Sequence, residues 1–133
     1  MLSKRNGTTK KTPSMTIGES SMAFRRGDVI LIPFPYTDLS ATKTRPAVVV
    51  SSDAYHTHRL ELLLAYISSQ ASKFDPETDY FLSNWSAVGL LRPSFVRPRI
   101  AAIEPSLVVF RVGSLGQHDM GEVDRVLKRA LAL

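Results

Sequence analysis

Residues 25–52 read RRGDVILIPFPYTDLSATKTRPAVVVSS and contain the two runs that decide the fold. The first run, residues 29–32, is apolar, follows a Gly-Asp turn signal and ends at Pro33. The second run, residues 46–50, is rich in β-branched valine, which is typical of a buried strand. The segment between them holds two prolines, an aromatic pair and small hydroxylic residues, a composition that favours a surface loop. The stretch therefore predicts two core strands joined by a polar loop.

Outward from this stretch, the chain predicts further strands and then one helix. Short apolar runs separated by glycine and proline occur at residues 60–67, 78–82, 94–96, 100–103 and 107–112. Many short strands at close spacing indicate a small barrel or sandwich. Apolar residues then recur at helical spacing over residues 120–131, and Ser114 followed by Gln117 is a capping-box pattern. The sequence thus predicts a mainly β fold with a C-terminal amphipathic helix.

The composition predicts one globular domain behind a polar extension. The chain has 133 residues, a net charge of +5 and no cysteine. Residues 1–22 carry +3 of that charge and show no apolar periodicity, which predicts a disordered basic extension before a single domain at residues 23–133. Without cysteine there is no disulfide framework and no thiolate site, which fits a cytoplasmic protein. No apolar run approaches the roughly 20 residues that a membrane span needs.

Histidine offers little chemistry in this chain. His56, His58 and His118 are its only histidines, and none has an acidic neighbour at metal-ligand spacing. His56 and His58 both lie in the polar connector at residues 53–59, where we expect them to be exposed to solvent. The sequence therefore indicates no metal site.

Arg45 stands where the polar loop re-enters the sheet, and the residues alone leave two interpretations of it. Because it precedes Pro46, its backbone is expected to be extended, so its side chain leaves the strand edge in a fixed direction. The arginine either points into solvent or belongs to a site at the root of the loop, together with Lys43 and Thr44.

Residues 25–52 resemble the opening of the MazF/PemK (PemK-like) toxins of bacterial type II toxin–antitoxin systems. The residues that carry this resemblance are Arg26-Gly27-Asp28-Val29 and Arg45-Pro46-Ala47-Val48-Val49-Val50. Further on, Ile67-Ser68-Ser69-Gln70 resembles the family's Ile-Thr/Ser-x-Gln strand end, and Gly89-Leu90 with residues 94–104 resembles a later block. The resemblance covers the chain from residue 23 to the C-terminus.

The resemblance implies a small SH3-like (CcdB/PemK-type) β-barrel with a C-terminal helix. Such a protein is usually a homodimer, cleaves single-stranded RNA without a cofactor and is blocked by a cognate antitoxin. The family's catalytic arginine maps onto Arg45 and its hydroxyl residue onto Ser68, and the loop at residues 35–44 corresponds to the one that responds to the antitoxin. The other candidate RNA contacts are Lys43, Thr44, Ser69, Gln70, Lys73, Arg97 and Arg99. Members often show Gln-x-Arg near the last strands, where this chain has Arg97-Pro98-Arg99.

The chemistry suits these residue types. A guanidinium can donate two hydrogen bonds to a phosphorane and a serine hydroxyl a third. Because arginine stays protonated in proteins, we assign Arg45 to charge stabilisation and leave the general base unidentified. Lys43 and Lys73 are equally well explained as phosphate contacts or as solubilising lysines. Two alternatives stay open: a non-nuclease toxin of the same fold that poisons DNA gyrase, and a degenerate member that only binds an antitoxin.

Overall fold

The computed structural model of the protein describes residues 23–33 and 43–133. Its strands and helices are β1 (Asp28–Pro33), β2 (Thr44–Val49), α1 (Asp53–His56), β3 (Leu62–Ser68), β4 (Tyr80–Phe81), α2 (Trp85–Val88), β5 (Phe95–Ile103), β6 (Phe110–Ser114) and α3 (Gln117–Leu131). Short 3₁₀ turns lie at Ala71–Lys73 and Pro105–Leu107. The predicted disorder of residues 1–22 and most of the predicted loop at residues 35–44 lie outside the described residues.

The six strands form one curled antiparallel sheet in the order β4-β5-β3-β2-β1-β6, a half-barrel. The two runs that open the sequence analysis are neighbours in it, because Ile30 pairs with Ala47 and Ile32 with Arg45. The predicted fold class, mainly β with a C-terminal helix, is confirmed. None of the helices in the described part of the chain is both long and apolar enough to cross a membrane.

The sheet buries apolar side chains on both faces, because successive residues of a strand point to opposite sides. The first cluster comprises Phe24, Ile30, Ile32, Ala47, Val49, Leu62, Leu64, Ile103 and Val108. The second comprises Val29, Val48, Ala65, Ile67, Leu82, Val88, Val96, Val123 and Leu127. The C-terminal helix α3 supplies Val123 and Leu127 to the second cluster, so α3 covers that face. Burying each Val, Leu, Ile or Phe side chain of these clusters contributes about 1.5–3 kcal/mol.

A tight corner at Arg26-Gly27-Asp28 starts the sheet. Gly27 has φ +96°, a left-handed conformation that glycine adopts without strain, and its N–H donates to the Val49 carbonyl over 2.8 Å. The buried Asp28 carboxylate accepts the Ser114 hydroxyl over 2.7 Å and lies 3.3 Å from the Arg111 guanidinium. The corner thus ties β1 to β2 and β6.

The predicted capping box is wrong. Helix α3 begins at Gln117 with Gly116 as its N-cap, and no side chain caps it. The physical reason is that the Ser114 hydroxyl belongs to the end of β6 and donates to Asp28.

A buried carboxylate in the first turn of α3 fastens the helix instead. Asp119 accepts the Tyr80 hydroxyl over 2.6 Å and the backbone N–H groups of Ser83 and Asn84 over 2.9 and 3.0 Å. Burial by itself raises the pKa of Asp119, but these hydrogen bonds together outweigh it and hold the pKa below its ordinary value. Burial and the bond to Asp119 raise the pKa of Tyr80.

The expectation for His56 is also wrong, whereas His58 is exposed as predicted. The polar connector forms the short helix α1, and this helix turns His56 inward, leaving it 4% exposed. Its Nε2 lies 2.6 Å from the Ser51 hydroxyl, and burial lowers the pKa of the imidazole.

Several predicted strands have different bounds. The runs at residues 94–96 and 100–103 form one strand, β5, which continues through Pro98. The register with β3 shifts here: Ala65 pairs with Ile100 and Ile67 with Val96, so Tyr66 alone faces three residues of β5. This bulge accommodates Pro98, which has no N–H to give to the ladder. The run at 107–112 starts in a 3₁₀ turn before β6, and the run at 78–82 yields only β4.

Candidate functional site

A row of side chains crosses the sheet at one end of the first cluster. Ala47 of β2 pairs with Tyr66 of β3. Two residues further along each strand, on the same face, lie Arg45 of β2 and Ser68 of β3, and both line the same cavity. Ile32 of β1, which pairs with Arg45, completes the row. On this face both strands change from apolar to polar residues at the same end, which builds a polar site directly onto the core.

The row opens into a cavity of about 350 Å³. Its lining residues are Ile32, Arg45, Tyr66, Ile67, Ser68, Ser69, Gln70, Lys73, Arg92, Arg97 and Arg99. This volume lies within the range of about 300–1,000 Å³ that small-molecule sites occupy. Five of these side chains are cationic and, within the described part of the chain, none of them is acidic. Such a lining attracts a polyanion.

Seven of the nine predicted site residues lie together in this cavity: Arg45, Ser68, Ser69, Gln70, Lys73, Arg97 and Arg99. The other two, Lys43 and Thr44, are exposed at the start of β2 and do not belong to the lining. The sequence analysis missed Tyr66 and Arg92. The alternation of β3 places Tyr66 on the face of Ser68 and could have found it, but Arg92 lies in the loop before β5, where no periodicity marks it.

The Ser68 hydroxyl is oriented by the turn that follows it. The backbone N–H of Gln70 donates to Ser68 Oγ over 3.1 Å. Because a hydroxyl has one hydrogen to give and two acceptor lone pairs, this contact leaves the O–H of Ser68 able to donate to a ligand. The chain then enters the Ala71–Lys73 turn, which brings Lys73 to the cavity.

The bulge in β5 brings two more cations into the same place. Arg97 and Arg99 flank Pro98 and lie opposite Tyr66, and both side chains line the cavity. The Arg99 guanidinium carbon lies 5.5 Å from the centre of the Tyr66 ring, a cation–π contact. The proline that divided this strand in the sequence analysis therefore stands at the bulge from which both arginines reach the cavity.

The family model of the PemK-like, MazF-like toxins of type II toxin–antitoxin systems matches residues 25–131. The chain belongs to this family. The match spans all six strands and all three helices of the toxin fold described above. No curated protein matches the chain in sequence.

Solved structures share the toxin fold. An endoribonuclease in complex with its cognate antitoxin from a mycobacterial species is 18% identical, with a TM-score of 0.67 over 83% of this chain and 96% of that one. Another mycobacterial endoribonuclease is 20% identical, with a TM-score of 0.66 over 84% and 93%. MazF from Deinococcus radiodurans is 19% identical, with a TM-score of 0.65 over 83% and 97%. At these identities the likeness shows the fold alone.

No histidine lines the described part of the toxin's cavity. Likewise, in residues 23–33 and 43–133, no group of three or more His, Asp or Glu side chains could hold a metal ion. The chemistry that the described lining offers is therefore that of guanidinium, ammonium, hydroxyl and amide donors.

A second, apolar groove of about 360 Å³ adjoins the cavity and shares Ser69 and Arg92 with it. We call it the apolar groove; its lining residues are Leu31, Pro46, Ser69, Gly89, Leu90, Leu91, Arg92, Ser94, Phe110 and Val112. Leu91 is 92% exposed and Phe110 58% exposed. Large apolar side chains this exposed on neighbouring segments mark an interaction surface.

Proposed function

We propose that this toxin is an endoribonuclease that cleaves single-stranded RNA in the cationic cavity. The observation that supports the proposal best is that a guanidinium (Arg45) and a hydroxyl (Ser68) line the same cavity, together with four further cations. Those are the donors that a phosphodiester needs when charge develops on its oxygens.

In the proposed reaction the ribose 2′-hydroxyl attacks the adjacent phosphorus. The bond from O2′ to phosphorus forms, the bond from phosphorus to O5′ breaks, and the products are a 2′,3′-cyclic phosphate and a 5′-hydroxyl. Arg45 donates two hydrogen bonds to the non-bridging oxygens, and Ser68 donates a third. The 2′-hydroxyl gives its proton to water and the leaving O5′ takes up one proton from water, so that no net proton is gained or lost. Arginine does not act as the base, because it stays protonated.

The other cations position the strand. Lys73 and Arg97 line the cavity and can contact phosphates on either side of the cleaved bond. Ser69 and Gln70 offer further polar contacts from the turn after β3. Lys43 and Thr44 lie at the root of the loop, outside the lining, and we assign them to phosphates further along the strand.

The decisive experiment maps the ends of a mixed RNA pool after incubation with the purified protein. Arg45→Ala should lower kcat by about 100- to 1,000-fold, since it removes a charged donor of the transition state. Arg45→Lys should stay poor, because an ammonium lacks the planar fork. Ser68→Ala should lose less, because it removes one neutral donor. Cleavage should persist in chelator, since the lining cations supply the electrostatic role that a metal would otherwise fill.

Two controls separate this proposal from its alternatives. A substrate with 2′-deoxyribose at the cleaved position should be inert, because it lacks the nucleophile. Cleavage of that substrate, or full activity in Arg45→Ala, would refute the mechanism. Inhibition of DNA gyrase without RNA cleavage would favour a gyrase poison, and antitoxin binding without either activity would favour a degenerate binding module.

We also propose that a cognate antitoxin, acidic and partly disordered, binds over residues 35–44 and the neighbouring cations. The charge of the cavity supports this, as does the similar mycobacterial endoribonuclease, which was solved with its cognate antitoxin. RNA and antitoxin should then compete. A co-expressed antitoxin that still bound equally well after replacement of the loop would show that the loop is not its contact.

Finally, we propose a homodimer, with the apolar groove as part of its interface. Burying Leu91 and Phe110 against a second copy would remove two exposed apolar side chains of the groove from water. Sedimentation at micromolar concentration should show twice the 14.7 kDa mass of the chain, and Leu91→Glu should shift the protein toward monomer. A wild-type protein that sediments only as a monomer would contradict this.

A further inference from the structure

Tyr66 lines the cavity, and the proposed reaction gives it no task. It is the one aromatic residue in the described lining. Its ring packs against the first core cluster, so the core fixes its position. The Arg99 guanidinium lies over the ring, 5.5 Å from its centre. A supported aromatic ring that opens onto a cationic groove is the arrangement with which proteins stack the bases of single strands.

The position of Tyr66 along β3 relates it to the reacting phosphate. Tyr66 and Ser68 are two residues apart on the same face of the strand, which separates their Cα atoms by roughly 6.6 Å. A base that stacked on Tyr66 would therefore belong to a nucleotide at or next to the phosphate that Arg45 and Ser68 hold.

We propose that Tyr66 and Arg99 bind one unpaired nucleobase beside the cleaved bond, so that the ring supports one side of the base and the guanidinium covers the other. This inference rests on the proposed function, because it concerns the same site. It also gives a reason for selecting single strands: in a duplex the base is paired and stacked on its neighbours, and it cannot enter between the two side chains.

The present distance defines what must move. Two stacking gaps of roughly 3.4 Å each require about 7 Å between ring and guanidinium, which exceeds the observed 5.5 Å. Tyr66 is half-buried against the core, whereas Arg99 is exposed on the bulge. Arg99 is therefore the side that lifts, and its contact with Tyr66 closes the stacking face when no base is bound.

The test combines protein variants with an abasic scan. A cleavable single-stranded RNA is prepared as a series, each member lacking one base while keeping its sugar and phosphate. Wild-type protein should lose about 5- to 150-fold in kcat/KM at one abasic position next to the cleaved bond, the factor that corresponds to one stacked base. Tyr66→Leu should lose a similar factor on intact RNA and nothing further at that position. Tyr66→Phe keeps the ring and should therefore retain the penalty at that abasic position.

A purely structural role for Tyr66 gives a different pattern. Tyr66→Leu would then slow every substrate equally and keep the penalty at the abasic position. Tyr55→Leu is the matched control, because Tyr55 lies in α1 outside the cavity and donates to Glu61; it should leave both the rate and the abasic penalty as in wild type. Thermal melting of each variant checks that the fold is retained.

A binding arm separates this inference from the proposed function. The same abasic series is made with 2′-deoxyribose at the cleaved position and titrated by fluorescence anisotropy. Cleavage with an abasic penalty that Tyr66→Leu does not remove overturns the stacking inference alone. Binding with a Tyr66-dependent penalty but without cleavage of the normal RNA overturns the nuclease and keeps the stacking site. Neither cleavage nor binding of single strands overturns both.

Discussion

Two groups of arginines divide this molecule. Arg25, Arg26, Arg111 and Arg125 each lie beside a carboxylate, at Asp53, Asp124, Asp28 and Glu122 respectively. Arg92, Arg97 and Arg99 line the cavity, and no carboxylate of residues 23–33 or 43–133 pairs with them. Three pairs of the first group join separate segments of the fold, and the fourth, Arg125 with Glu122, lies within α3. The second leaves positive charge in the cavity, where the phosphates of a nucleic acid strand can neutralise it.

The ion pairs of the first group contribute unequally to stability, because they differ in burial. Arg25 and Asp53 are more than half exposed, and such a pair contributes about 0–1 kcal/mol. The Asp28 side chain is only 7% exposed and is also bonded to Ser114, so removing either of its partners leaves a buried charge unsatisfied. The comparison therefore predicts large stability effects at Asp28 and none in the cavity.

The largest expected effect on stability is that of Asp28→Ala. It removes the acceptor that holds Arg111 and Ser114 at the junction of β1 and β6, and it should lower the free energy of unfolding by about 3 kcal/mol. Urea unfolding measures this as a lower midpoint at unchanged slope. Arg97→Ala is the matched change in the cavity and should leave the midpoint within error. Equal losses in the two variants would erase the distinction between the groups.

A second prediction concerns the stability contributed by Asp119, a carboxylate whose hydrogen-bond donors are uncharged. Asp119 accepts hydrogen bonds from the Tyr80 hydroxyl and two backbone N–H groups, and its folded pKa is lowered. A carboxyl whose pKa is lower in the folded state stabilises the fold above its unfolded pKa, about 3.9, and loses that contribution as pH falls through the folded value. Asp119→Asn should cost about 2 kcal/mol at neutral pH.

The pH dependence distinguishes this effect from simple loss of packing. Below about pH 4 the gap in stability between wild type and Asp119→Asn should narrow, because the unfolded wild-type chain then binds a proton that the folded state, with its lowered pKa, takes up only at lower pH. The raised pKa of Tyr80 acts at the other end: its neutral form stabilises the fold below about pH 10, and that contribution is lost above it. Thermal melting across the pH range measures both the acid-side effect of Asp119 and the alkaline-side effect of Tyr80. A gap that stayed constant in acid would exclude the charge of Asp119 as its cause.

Local sequence patterns were enough to predict the strands and the helix whose apolar residues recur at regular spacing. The two apolar runs of residues 25–52 pair as β1 and β2, and the helical spacing near the C-terminus gives α3. The site residues Arg45 and Ser68 lie at strand ends, where the sequence changes from apolar to polar residues. Strand assignment and the family resemblance marked both as site residues, and both line the cavity. Their roles in catalysis stay a prediction.

The failures share a physical cause, which is contact between segments distant in sequence. The connector around His56 is polar, so only the packing of α1 against Ser51 reveals that its imidazole is buried. Pro98 reads as a strand break, yet a bulge opposite Tyr66 carries β5 through it. The hydroxyl of Ser114 fits a helix cap by spacing, but Asp28, far earlier in the chain, is its acceptor. A window of neighbouring residues contains none of this information.

The smallest effect gives the sharpest test of the two groups. Arg92 and Arg125 are both exposed, but Arg125 pairs with Glu122 one helical turn away, whereas Arg92 lines the cavity. Arg92→Ala and Arg125→Ala should each change the free energy of unfolding by less than about 0.5 kcal/mol.

Arg92→Ala should nevertheless weaken binding of a non-cleavable, 2′-deoxy-substituted RNA a few-fold at low salt, equally for all sequences. It should also reduce the slope of log K against log salt concentration by about 0.7, the value for one phosphate contact on a single strand. Arg125→Ala should leave that slope unchanged. If the two variants reduce this slope equally, RNA binding depends on the total charge of the protein and not on the cavity.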